Sequence, residues 1–305
     1  MFVNDFVLLP DKYLLPAYKI SPFTTSDIAR NRGLSQSDSI DDYFHQRFAG
    51  RRFVYCESGR QAIHLALRQL RLAGKDVVTI LTTTANLYIS GCVTREIESF
   101  CRWSRQIEAE TKAILVNHEF GIPFENLRAL RERHVPIIED AAHCFASENA
   151  EHSVSKVGDF VVYSFPKFFP IQFGGLLVFD QRYPVEETLA PPAKRYLQKV
   201  LSAHIDTWAA TCRKRRDNYR GLASRFETIG CSARFALTER TVPGVFMFKT
   251  DEHADLPGLK TFMWEHGIEC SVFYGQQAFF IPVHERLQPD DLDYLFEVAR
   301  TGLRK

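Results

Sequence analysis

Five short apolar runs recur over the first 180 residues, at 77–81, 114–116, 135–138, 160–163 and 176–179. A run of this kind has no polar face. As a strand it must be covered on both sides, and strands that alternate with helices supply that cover. Ile63, Ala66, Leu67 and Leu70 recur at helical spacing, so residues 60–72 read as a helix, which Gly74 ends. Leu127 and Leu130 mark a shorter one. The pattern predicts an α/β sandwich around a parallel-rich sheet. Residues 1–50 read as irregular, with Ser/Asp-rich turns before a short polar helix near 41–48.

Beyond Asp180 the texture changes. Ala190-Pro191-Pro192 reads as a linker. Trp208, Cys212, Tyr219, Leu222 and Phe226 fall on one face of a long helix. Strands are expected at 245–248 and 270–273. A helix carries Leu259, Phe262 and Met263 up to Gly267. A last helix opens with Pro289, Asp290 and Asp291, where proline and acids suit the first turn, and carries Leu292, Leu295, Phe296 and Ala299. Two domains are expected, a large α/β domain over 1–185 and a smaller α+β domain over 186–305.

With 38 Lys+Arg against 37 Asp+Glu in 305 residues, the net charge is +1. That balance gives no global attraction to nucleic acid or to an anionic membrane. The apolar start is broken by Asp5, Pro10, Asp11, Lys12 and Pro16 and does not read as a secretory signal. No segment approaches the roughly 18 apolar residues of a membrane span. Seven widely spaced cysteines without a Cys-x-x-Cys indicate neither a disulfide framework nor a zinc module, and the histidines show no metal-ligand spacing. A cytoplasmic protein without a metal is expected.

Three stretches carry chemistry. Glu57-Ser58-Gly59-Arg60 precedes the first strong helix, and a hydroxyl and glycine at a helix N-terminus form an anion cup. An ordinary serine N-cap fits the same residues. Ile138-Glu139-Asp140-Ala141-Ala142-His143 ends a buried run in two acids, where ligands of open α/β sheets sit. Either acid can equally cap a turn. Ser164-Phe165-Pro166-Lys167-Phe168-Phe169-Pro170 sets a lysine among aromatics. A desolvated amine is a nucleophile toward carbonyls, whereas a lysine can also extend out of an apolar surface. Arg213-Lys214-Arg215-Arg216 reads as the solvated face of the long helix, with phosphate contact as the other reading.

Taken in order, these elements resemble the DegT/StrS-type sugar aminotransferases, which depend on pyridoxal 5'-phosphate (PLP) and have the fold-type-I aminotransferase fold. The matching residues are Ser58-Gly59 with Ala62, His118-x-x-Gly121-x-Pro123, Ile138 to Ala142, Gly158-Asp159, Ser164-Phe165, Lys167 and Gly174-Gly175. Gly267-Ile268-Glu269, Tyr274 and Pro282-x-His284 extend the likeness. The resemblance implies a three-layer sandwich with a mixed, mostly parallel sheet. It also implies an enzyme of sugar or polysaccharide biosynthesis that passes an amino group from an amino acid such as glutamate to a keto-sugar or related carbonyl.

In that reading Lys167 holds PLP as an imine and shuttles protons, and Asp140 pairs with the pyridine nitrogen. Ser58, Gly59 and Ser164 bind the phosphate, and Arg60, standing where the family has threonine, is a further phosphate partner. His143, in place of a glutamine, reaches the phenolic oxygen or the ring. Tyr88 is the candidate ring-stacking aromatic. A homodimer that completes each site is also implied, and the apolar residues of the N-terminus (Phe2, Val3, Phe6, Val7, Leu8, Leu9, Leu14 and Leu15) need a surface to cover. The chain departs from the family pattern in a shortened Ser-Phe-to-lysine loop and in lacking the Gly-Tyr-Asn-x-Arg segment. The alternative expectation is therefore a PLP-binding or scaffold protein that has lost catalysis.

Overall fold

The computed structural model describes residues 2–3, 7–8 and 16–304. They form two compact units, one of Phe23–Trp208 and one of Ala209–Lys305 with Met1–Pro22.

The unit Phe23–Trp208 is built on a seven-stranded sheet. Its strand order is Arg52–Cys56, Gly175–Phe179, Phe160–Ser164, Ile137–Asp140, Thr111–Asn117, Val77–Thr82 and Arg102–Ser104. Only Gly175–Phe179 runs against its neighbours; the pairs from Phe160–Ser164 to Arg102–Ser104 are parallel. The central strands are buried at nearly every position, as their unbroken apolar runs require. One face packs Val78, Ile80, Leu115, Ile138 and Val162 against Ile63 and Ala66 of the helix Gly59–Gln69 and Ile97 of the helix Gly91–Glu98.

Sequence periodicity located the central strands and missed the two outer ones. Arg52–Cys56 and Arg102–Ser104 are partly exposed and carry arginines, so neither reads as an apolar run. The segment at 128–133 is a 3₁₀ turn. Within residues 16–50 the chain is less irregular than expected. Ser26–Gly33 is a helix, and Ser39–Arg47 occupies nearly the expected place of the polar helix.

The expected linker at Pro191-Pro192 is instead the first turn of the helix Pro191–Ile205, where a missing N–H costs nothing. That helix is tied to the large unit. Ser202 Oγ accepts from Ile40 N at 3.0 Å, and Gln198 Nε2 donates to Asp41 at 2.8 Å. The unit boundary therefore falls after Trp208, where the sequence reading drew it at 185/186.

The other unit has a four-stranded antiparallel sheet, in the order Ser232–Ala233, Phe246–Lys249, Ala278–Ile281 and Ser271–Val272. Leu222, Phe226, Leu259, Met263, Leu295 and Val298 pack on it from three helices, Trp208–Glu227, Leu256–Glu265 and Pro289–Gly302. Gly267, at φ +76°, closes the second of these as expected. The N-terminal stretch joins this unit: Tyr18 pairs with Ile268, and Ile20 N donates to Glu269 at 2.8 Å. Phe2–Val3 and Val7–Leu8 pair antiparallel. Phe6, Leu9, Leu14 and Leu15 lie outside the described residues.

The basic run on the long helix is not uniformly solvated. Arg215 is fully buried and bonded to Glu285 at 2.8 Å, while Arg213 is exposed. His284 is buried nearby, and burial pushes its pKa down to about 4.

Candidate active site

Strand direction creates the site. Cys56, Thr82, Asn117, Asp140 and Ser164 are the last residues of parallel strands, so the loops that follow them share one edge of the sheet. Gly175 begins the opposed strand at the same edge, paired with both Cys56 and Ser164.

Ser58 caps the helix Gly59–Gln69, its Oγ accepting from Gln61 N at 3.2 Å. A Cβ on Gly175 would stand 2.7 Å from the Ser58 carbonyl carbon and 2.7 Å from Tyr163 O. Only glycine lets the strand start against this turn. A Cβ on Gly59 would lie 3.2 Å from Ser164 Cβ, so Ser58-Gly59 and Ser164 are adjacent. Glu57 O accepts from Gly174 N at 2.8 Å and ties the two loops together. The result is a hydroxyl-lined cup at a helix N-terminus. The Arg60 guanidinium is exposed and donates to Cys92 Sγ at 2.8 Å, and this bond holds the thiol's pKa below its ordinary value.

The shortened loop after Ser164 closes as a single 3₁₀ turn, Phe165–Lys167. Phe168 N and Phe169 N both donate to Phe165 O, at 3.0 and 2.8 Å. Phe165, Phe168 and Phe169 are buried, and Phe169 stacks on Trp208 with centroids 5.3 Å apart. Lys167, half-buried, ends this turn three residues after Ser164.

Lys167 acts electrostatically on Asp140. The Asp140 carboxylate accepts from Asn117 Nδ2 at 2.9 Å and from Ala142 N at 3.1 Å. Asn117 and Asp140 are register partners, which explains the first bond. Burial pushes the Asp140 pKa above its ordinary value, and these bonds, with His118 and Lys167 nearby, only partly oppose it. A carboxylate in that state is a site for a cation. Asn117 was missed in the sequence, although a polar residue closing an apolar strand beside Asp140 was the available signal.

Glu139 does a different job. It accepts from Ser155 N at 2.6 Å, Val157 N at 3.1 Å, Gly158 N at 2.5 Å and His118 Nε2 at 3.3 Å. His118 Nδ1 accepts from Phe124 N at 3.0 Å, so its proton sits on Nε2, facing Glu139. Burial raises the Glu139 pKa, but His118 and the backbone donors outweigh it and hold the group below its ordinary value. Asp159 is structural as well. It binds Ile137 N at 2.8 Å, Arg131 at 2.9 Å and Arg182. A cleft of about 650 Å³ there, at the amino-terminal edge of the sheet, is lined by Arg131, Asp159 and Arg182, and that carboxylate already pairs with both arginines.

His143 and Tyr88 are half-buried, and their ring centroids lie 5.2 and 6.1 Å from that of Phe120. Phe120 has φ 51° and ψ 34°, a left-handed backbone that disfavours a residue with a Cβ by about 1–2 kcal/mol. Sequence reasoning passed over Phe120.

The segment spanning Asn117, Asp140, His143, Ser164 and Lys167 is the part of the chain that matches a known family: residues 99–188 fit the model of the DegT/DnrJ/EryC1/StrS aminotransferase family. No curated protein matches the chain. Solved structures share its fold at low identity. An aminotransferase, TlmJ, from Streptoalloteichus hindustanus superposes with TM-score 0.71 at 16% identity, covering 94% of this chain and 98% of its own. The PMP-form of the putative sugar aminotransferase Spr1654 from Streptococcus pneumoniae gives 0.71 at 15%, covering 94% and 98%. A GDP-4-keto-6-deoxy-D-mannose-3-dehydratase of E. coli with bound hydrated PLP gives 0.69 at 14%, covering 94% and 100%.

Proposed function

We propose that this chain, a DegT/DnrJ/EryC1/StrS-family protein by its residues 99–188, is a PLP-dependent aminotransferase. It would move an amino group from an amino acid such as glutamate to a keto-sugar, free or nucleotide-linked, or to a related carbonyl compound. One observation carries the reading. The buried Asp140, acted on by the charge of Lys167, ends its strand at the sheet edge where Ser58, Gly59 and Ser164 also meet.

The residues fit the cofactor. Ser58, Gly59 and Ser164 with the helix N-terminus would take the phosphate dianion. Asp140 would keep a proton on the ring nitrogen, held in line by Asn117 and Ala142. When bound, PLP supplies an aldehyde for an amine and a conjugated ring that takes up the electrons of a broken Cα–H bond. Lys167 is the only lysine in the 163–175 loop and would hold the cofactor through its amine. Its amine would then take the proton from the substrate carbon and deliver it to the cofactor's former aldehyde carbon. Phe165, Phe168 and Phe169 keep the base of this loop dry and fixed. His143 would serve the phenolic oxygen.

The catalytically silent alternative leans on the shortened loop and on the missing Gly-Tyr-Asn-x-Arg segment. Against the first of these, the loop closes as a 3₁₀ turn that ends on Lys167, whose charge still acts on Asp140. A homodimer that completes each site, and a cytoplasmic location, belong to the same proposal. Leu87, Trp103 and Ile107 are apolar side chains exposed in the large unit, and all seven cysteines are free, as a reducing compartment requires. Among the described residues no helix is long and apolar enough to cross a membrane.

The test is an absorbance spectrum of the protein mixed with PLP. A band well above the protein's own, discharged by glutamate and fixed by borohydride, supports the reading. The absence of any such band refutes it.

A further inference from the structure

The loop that follows Val77–Thr82 carries one ring, that of the half-buried Tyr88. Its three threonines are committed. Thr82 Oγ1 donates to Asn86 O at 2.9 Å, Thr83 Oγ1 to Ile122 O at 2.7 Å, and Thr84 Oγ1 to Glu119 at 2.8 Å. Leu87 is 70% exposed. Tyr88 N donates to Asn86 Oδ1, and its ring centroid lies 6.1 Å from that of Phe120.

The turn after Thr111–Asn117 is placed differently. His118 N donates to Asp140 O at 3.1 Å, so this turn is bonded to the backbone of the residue that would bind the ring nitrogen. Two residues on, the Phe120 ring lies 6.1 Å from that of Tyr88 and 5.2 Å from that of His143, centroid to centroid. Its left-handed backbone is fixed from several sides. Glu119 N donates to Thr83 Oγ1 at 3.1 Å, Ile122 N to Glu119 O at 2.8 Å, and Phe124 N to His118 Nδ1 at 3.0 Å. A strained residue this firmly determined, at the edge where the strands end, marks a place where the direction of its side chain matters.

We propose that Phe120, backed by Tyr88, is the residue that lies against the pyridine ring of the cofactor. The proposal rests on the PLP reading above and replaces Tyr88 in the ring-facing role.

Three variants test it: Phe120→Gly, Phe120→Tyr and Tyr88→Leu. Glycine suits the positive φ, so Phe120→Gly removes the ring without adding backbone strain. The readouts are the dissociation constant of pyridoxamine phosphate, which makes no covalent bond, and the circular dichroism of the bound PLP band. Phe120→Gly is expected to melt no lower than wild type, to bind pyridoxamine phosphate on the order of tenfold more weakly, and to change the dichroic band. Phe120→Tyr should restore both readouts, and Tyr88→Leu should have the smaller effect. The proposal is overturned if Phe120→Gly keeps wild-type affinity and dichroism, or if Tyr88→Leu carries the loss. A wild-type protein that binds no PLP overturns the functional reading and this inference with it, which sets that failure apart from a failure of Phe120 alone.

Discussion

Glu139 and Asp140 are consecutive residues of one buried strand, and their carboxylates are held in opposite states. Glu139 is kept below its ordinary pKa by His118 and three backbone N–H groups. Asp140, with two hydrogen bonds, is pushed above its own. Strand alternation sends the two side chains to opposite faces of the sheet. One meets the turn 155–158, and the other meets the site.

Asp140 is the group whose ionisation waits for a partner. In the apo protein the native state binds its proton more tightly than the unfolded chain does. Stability from this group is therefore present below the unfolded pKa of about 3.9 and lost as pH rises through the native value. Asp140→Asn should melt a few degrees higher than wild type in the apo form at neutral pH, with the gain absent below pH 3. With PLP, the same variant should lose half-transamination by roughly two to three orders of magnitude while keeping much of its cofactor. Normal turnover in Asp140→Asn would remove the assigned role.

Glu139 should behave in the reverse sense. Its depressed pKa gives stability that is present above the unfolded value of about 4.3 and lost as pH falls through the native one. Glu139→Gln leaves buried N–H groups poorly matched and should cost about 2–4 kcal/mol in urea unfolding at pH 7. The difference should shrink in acid. Equal stability at pH 7 would show that the 155–158 turn holds itself.

Lys167 should carry the cofactor. Lys167→Ala and Lys167→Arg are expected to abolish the borohydride-trapped adduct. Peptide mapping that finds the label on any other lysine would show the short loop to be misassigned.

Gly175→Ala tests the cup. A methyl group 2.7 Å from two backbone atoms must move the Ser58-Gly59 turn or the strand. We expect a stability loss of about 1–3 kcal/mol and weaker binding of PLP, with inorganic phosphate losing its protection of the site as well. A variant that matches wild type in both would mean the turn is free to yield.

Assembly is open to light scattering. A homodimer at micromolar concentration is expected, bound to PLP. Monomer alone with full cofactor occupancy would rule out a shared site.

The sequence by itself determined the layered α/β core and the order of the site's parts. Unbroken apolar runs such as 160–163 admit only a doubly covered strand, and Asp140, Ser164 and Lys167 each follow one. It did not separate Glu139 from Asp140. Both end the same strand, and their states depend on the turn 155–158 and on Asn117, contacts made across the fold. Nor did it show that Arg215 is buried, because spacing along a helix gives a face while only packing says what covers it. Phe120 stayed hidden for the same reason: its backbone conformation is set by bonds from Thr83, Thr84 and Asp140, which only the folded sheet brings to its side.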